Sequence, residues 1–130
     1  MEGFKLSKSL VVSLCLIGSG IIHLLPATGL LGVGQLNRLY GIVLDDTNLE
    51  ILMRHRALMF GVLGAFLVYA AFKPDMQYLA IVAGLVSAVG FVVIAQTSMP
   101  YSEFITKIVF ADYVALAALL IAGAIKWFQM

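Results

Sequence analysis

The chain is short of charge. Asp, Glu, Lys and Arg make up 12% of its 130 residues, while 62% are hydrophobic. Soluble domains carry charge at about a quarter of their positions, so a soluble all-α core is a poor reading. The shortage is also uneven: none of these four residue types occurs in residues 9–37, 57–72, 76–102 or 113–125. Cysteine is nearly absent. Cys15 stands alone inside the first apolar run, which excludes an intramolecular disulfide, a Cys-x-x-Cys redox pair, a cysteine-built zinc site and c-type haem attachment. A net charge of +1 offers no electrostatic footprint for nucleic acid. No P-loop, dinucleotide-binding glycine fingerprint or serine nucleophile elbow is present.

What is present is apolar length. Backbone polar groups in lipid must be satisfied within their own segment, so charge-free runs of this kind form helices. A span needs about 20 residues, and four fit, at 9–25, 54–72, 77–97 and 104–128. The chain therefore reads as one all-α transmembrane domain over residues 1–130. The expected fold is an integral membrane four-helix bundle with one long loop, 26–53, between the first and second helices. Lys5 and Lys8 precede the first run as the basic region of a signal peptide would. The run outlasts the roughly 7–15 apolar residues of such a peptide, and three more apolar helices follow, so an uncleaved first span is expected. "LPATG" at 25–29 has the form of a sortase signal but lies at the wrong end of the chain. Pro26 stops the helix there, and Gly29, Gly32 and Gly34 let the chain bend.

With four spans both termini share one side, which carries Lys5, Lys8, Lys73 and Lys126. The other side carries Arg38, Arg54, Arg56 and Lys107. The positive-inside rule is level on this count. Glu50 lies four residues before Arg54, and Glu103 four before Lys107, both favourable helix pairs. The terminal side has less compensation, which points to both termini inside. Tyr69, Tyr78 and Trp127 then anchor the inner face, and Tyr40 and Tyr101 the outer. In the long loop, "QLNRLYGI" has the pattern of a short surface helix, and "DDTNLE" reads as a helix start. Asp46 or Thr47 is the expected cap, with Glu50 completing a capping box on Thr47. Small residues four apart, Gly61 with Ala65 and Gly84 with Ala88, and the stripe Ala111, Ala115, Ala118, Ala122, mark helix contacts.

In this topology all four helices bring polar groups to one half of the membrane. They are His23, then Arg54, His55 and Arg56, then Gln96, then Asp112 followed by Tyr113. Asp112 lies eight residues into the fourth span, roughly 12 Å deep at 1.5 Å per residue. A carboxylate near the bilayer centre costs about 2.5–3.5 kcal/mol on insertion scales. It therefore needs protonation or a cation, and a pair with Arg56, Arg54 or His23 is the expected arrangement. Plain readings stand beside this one: a helix-end His23, Arg54 and Arg56 on lipid phosphate with His55 facing outward, an interfacial Gln96, and a structural ion pair at Asp112. Two histidines with Asp112 or Glu50 have metal-binding chemistry. They lie on different helices without a His-x-x-x-His or Glu-x-x-His pattern, so no metal is expected.

The segments "LEILMRHRALMFGVLGAFLVYAAFKP" (49–74), "IIHLLP" and "VFADYVAL" (109–116) resemble a group of small proteobacterial inner-membrane proteins, itself similar to the DoxX-like four-helix membrane proteins. The resemblance implies a four-helix bundle in the cytoplasmic membrane and an association with quinone-linked redox chemistry, without catalytic residues to carry over. Some of the group carry the label phosphopantetheine adenylyltransferase. That soluble enzyme uses a His-x-Gly-His-type motif that neither His23 nor His55 belongs to, so this activity is rejected.

Three functions remain open. One is a binding or accessory module, not an enzyme, that holds an anionic lipid, a quinone or a partner helix with His23, Arg54, Arg56 and Asp112; arginine forks suit phosphate and carboxylate. A second is a membrane redox subunit in which His23 or Asp112 exchanges protons with a quinone-like substrate. A third is a small, oligomeric transporter. The lipid bilayer is the certain partner of any such chain. A membrane protein partner or a second copy stays open, and no resident cofactor is implied beyond bound lipid or quinone.

Overall fold

A computed structural model describes residues 2–129. The side chains of Glu2 and Lys5, counted in the charge balance above, lie outside the described part. The chain is helical nearly throughout: α1 (Glu2–Leu24), α2 (Val33–Tyr40), α3 (Thr47–Ala70), α4 (Gln77–Thr97) and α5 (Glu103–Phe128). Tighter 3-10 segments cover Leu25–Leu31 and Pro74–Met76. Four stretches are long and apolar enough to cross a membrane: Ser7–Leu31, Thr47–Ala70, Pro74–Thr97 and Glu103–Phe128, each of 24 to 26 residues.

Three expectations need correction. The segment 26–53 is not a long loop. Pro26 lacks the N–H that the α ladder needs, so the chain tightens into 3-10 geometry instead of unravelling. It then re-enters α2, leaving residues 41–46 as the irregular part. The second long helix begins at Thr47, seven residues before the expected start. Asp46 holds its first turn, accepting a hydrogen bond from the Asn48 backbone N–H at 2.9 Å. Thr47 is the first helical residue rather than the cap, and the Thr47–Glu50 capping box does not form. Glu50 pairs instead with Arg54 at 3.7 Å. At the head of α5, Ser102 Oγ caps the Ile105 N–H.

The long helices form a ring in which α1 packs on α3 and α5, and α4 packs on α5 and less extensively on α3. Thus α1 and α4 face each other across the diagonal. The closest approach is α1 to α3. A Cβ at Gly20 would lie 2.9 Å from the Gly64 carbonyl oxygen, and one at Gly64 would lie 2.8 Å from the Gly20 oxygen. Neither position admits a side chain, and van der Waals packing of this kind holds helices together in lipid. Gly64, not the expected pair of Gly61 and exposed Ala65, makes this contact. On α4 and α5 the small-residue reading holds: Ala88, Ala115 and Ala122 are buried.

The bundle has two unlike ends. Toward the termini, Val12, Leu16, Leu67, Ile81 and Leu119 form a dry core. Two polar side chains at that end serve one carbonyl: Ala71 O accepts from Ser13 Oγ at 2.7 Å and from the buried Gln77 Nε2 at 3.3 Å. Toward the other end the apolar core is small, centred on Leu36, Tyr40 and Leu44. Between these two clusters lies a layer of polar side chains.

Candidate functional site

His23 is 2% exposed. Its Nδ1 lies 2.8 Å from the Ser19 carbonyl oxygen, one helical turn back. A carbonyl only accepts, so Nδ1 carries the proton. In the neutral ring Nε2 then accepts from Ser87 Oγ at 3.1 Å. That bond crosses the bundle diagonal from α1 to α4. The ring also sits 5.9 Å from the Phe60 ring, centroid to centroid. The histidine therefore faces the protein interior and not lipid. It does not pair with Asp112.

Arg56 lies on the second turn after Glu50 and is half-buried. Its Nη1 donates to the Tyr40 hydroxyl at 2.6 Å. The guanidinium carbon stands 4.5 Å from the Phe60 ring centre, 5.3 Å from that of Tyr40 and 5.7 Å from that of Phe91. Three rings thus present their negative faces to one cation, an attraction that strengthens where water is excluded. Phe60 is four residues along the same helix face, Tyr40 comes from α2 and Phe91 from α4. The expected contact with Asp112 is not made, because the cage and the phenol oxygen already satisfy the cation. Arg56 acts on Asp112 through its charge alone.

Asp112 instead lines a cavity of about 300 Å³ between α1, α2 and α5. Lys107, Ile108, Ala111 and Asp112 of α5 line it, with Lys107 and Ala111, and Ile108 and Asp112, as i, i+4 neighbours on the helix. Helix α2 contributes Arg38, Leu39 and Tyr40, α1 contributes Ile22, and the 3-10 segment contributes Leu25 and Pro26. Phe104 closes one side. It packs so tightly on Gly41 that a Cβ there would lie 2.5 Å from the ring, and Gly41 adopts a φ of 65° that favours glycine. The walls are apolar while the rim carries two cations and one carboxylate. Among the described residues, Arg38 makes no hydrogen bond or ion pair and no donor reaches Asp112. Lys107 makes only a ring contact, 6.0 Å from the Phe104 centre, and the expected pair with Glu103 does not form.

The other expected site residues lie apart. Arg54 is exposed and fastens the 3-10 segment to α3, its Nε donating to Leu30 O at 3.2 Å. His55 is exposed without a polar partner among the described residues. Gln96 is exposed and reaches the Tyr101 hydroxyl at 3.2 Å. Tyr113 is 49% exposed and turns away from Asp112. Tyr40, expected as an interface anchor, is 5% exposed. The structure therefore divides the expected cluster: Asp112 borders the cavity, Arg56 stands behind Tyr40, and His23 belongs to a separate inner network, while Arg38, expected only as a loop residue, joins Asp112 at the cavity. Tyr40, Lys107, Phe60, Phe91, Ser19 and Ser87 were not legible as site residues. The one signal for any of them was the four-residue spacing of Arg56 and Phe60.

Compared with protein-family models, with curated proteins and with solved structures, the chain finds no match in any of the three.

Proposed function

We propose that this chain is a multi-pass protein of the bacterial cytoplasmic membrane, with both termini inside, that binds a lipid-like amphiphile with an acidic head. It is an accessory or binding module, not an enzyme. The supporting observation is the cavity of about 300 Å³ whose walls are apolar and whose rim carries Arg38 and Lys107 without acceptors of their own. Small-molecule sites are concave, mostly apolar and fixed by a few polar groups. A phosphate or carboxylate would supply the acceptors these cations lack. The quinone-linked alternative uses His23 or Asp112 for proton exchange. His23 is turned to Ser87 and does not line the cavity, so Asp112 alone would carry that chemistry there.

The test is mass spectrometry of what co-purifies with the gently solubilised protein, comparing wild type with Arg38→Gln and Lys107→Gln. A stoichiometric acidic amphiphile in wild type, depleted in both variants, is the expected result. The same bulk lipid background in all three would overturn the reading.

A further inference from the structure

Resting on that reading, the geometry of the rim narrows the ligand. The two cations and the carboxylate are not at one level. Lys107 and Asp112 are five residues apart on α5, a rise of about 7.5 Å. Lys107 and Arg38 are exposed, whereas Asp112 is only partly accessible. An acid group held at the mouth therefore has, one step further in, a carboxylate without a hydrogen-bond donor among the described residues.

With the Arg56 charge acting on it, Asp112 is taken here as ionised, and an ionised carboxylate accepts hydrogen bonds and donates none. Whatever part of the ligand lies against Asp112 must bring an N–H or O–H, because an acceptor there would leave two acceptors facing each other in a mostly apolar space. This requirement separates amphiphiles that share an acidic head. A diacyl phospholipid places an ester at the middle glycerol carbon, and an ester only accepts. A fatty acid has nothing but methylene below its carboxylate. A quinone offers carbonyl acceptors. A monoacyl glycerophospholipid has a free hydroxyl at the middle glycerol carbon, one step inward from the phosphate. The long side chains of Lys107 and Arg38 span the remaining distance to the phosphate. The modest volume also suits one chain better than two.

We propose that the cavity selects a single-chain glycerophospholipid, with its phosphate between Arg38 and Lys107 and its free glycerol hydroxyl donated to Asp112. Tyr40 supports this arrangement from the wall. Its oxygen already accepts from Arg56, so its own proton is available to a phosphate or ester oxygen.

The experiment measures binding of two probes to the full chain in mild detergent: oleoyl lysophosphatidic acid and its methyl ether at the free glycerol hydroxyl. Dioleoyl phosphatidic acid serves as a third ligand. The ether keeps the charge, the chain and nearly the shape, and removes only the donor. Wild type should bind the hydroxyl form about tenfold or more tightly than the ether, as loss of a hydrogen bond to a charged group implies. In Asp112→Asn, whose amide both donates and accepts, the two probes should bind within about twofold. Equal binding of hydroxyl and ether forms to wild type would overturn this inference while leaving the amphiphile reading intact. No saturable binding of any of the three would overturn both. The wild-type comparison decides the matter even if Asp112→Asn does not fold.

Discussion

The Arg56 guanidinium donates to the Tyr40 hydroxyl across 16 residues of sequence, at 2.6 Å. This bond joins the second long helix to the short helix that carries Arg38 of the cavity rim. Tyr40→Phe keeps the ring in the cage and removes only the acceptor. It should cost about 1–3 kcal/mol, the scale for a hydrogen bond to a charged group in a buried setting. Thermal unfolding in mild detergent reads the loss. A Tyr40→Phe protein as stable as wild type would mean that the rings alone hold the cation.

His23 and His55 should behave oppositely. His23→Ala leaves the Ser87 hydroxyl without its ring partner and opens a void beside Phe60, so a loss of roughly 2–4 kcal/mol is expected. His55→Gln changes an exposed position and should stay within about 0.5 kcal/mol of wild type. Paired melting curves check the contrast, and equal effects would contradict the burial difference.

The α1–α3 contact allows a sharper test. Gly64→Val places a branched side chain where a Cβ already lies 2.8 Å from the Gly20 oxygen, so it should shift the two helices apart and abolish a monodisperse folded peak in size-exclusion chromatography. Ala65→Val, on the neighbouring exposed position, should leave the elution profile unchanged. If both variants elute alike, the two helices do not meet at these glycines.

Sidedness is accessible through thiol labelling. In a Cys15→Ala background, Asp75→Cys marks the turn before α4, and Val43→Cys marks the segment between α2 and α3. With both termini inside, an impermeant maleimide added to intact cells should label the Val43→Cys protein and spare the Asp75→Cys protein. The reverse pattern would invert the proposed orientation.

The charge-free runs located the long helices well because a helix apolar enough to cross a membrane shows as apolar length with no regard to face. That same uniformity hid the faces. Helices α4 and α5 are apolar all round, and only packing reveals that Ala88 and Ala122 point inward. On α3, Gly61 and Gly64 are equivalent in sequence, and contact with Gly20 alone separates them. The start of α3 was legible in "DDTNLE", but the cluster of Arg54, His55 and Arg56 resembled a membrane interface and drew the expected start later. The site was less legible still. Asp112 stands out because no other carboxylate lies so far inside an apolar run. The Tyr40–Arg56 bond, the Ser87 partner of His23 and the cavity join residues from different helices, and no spacing rule connects them. Arg38 and Lys107 read as ordinary loop and helix-end charges until the fold placed them on one rim.

The unlike ends of the bundle carry a consequence of their own. At one end the interior is closed by leucine and alanine, with Ser13 and Gln77 spent on a single carbonyl. At the other, charge and hydroxyl groups line a cavity within reach of the surface. In the proposed membrane placement such a protein is chemically handed with respect to the bilayer. Inserted upside down, it would keep the same fold and the same stability but sample the opposite leaflet, with a different lipid population. The direction of insertion would then be a determinant of ligand identity, fixed once, during synthesis.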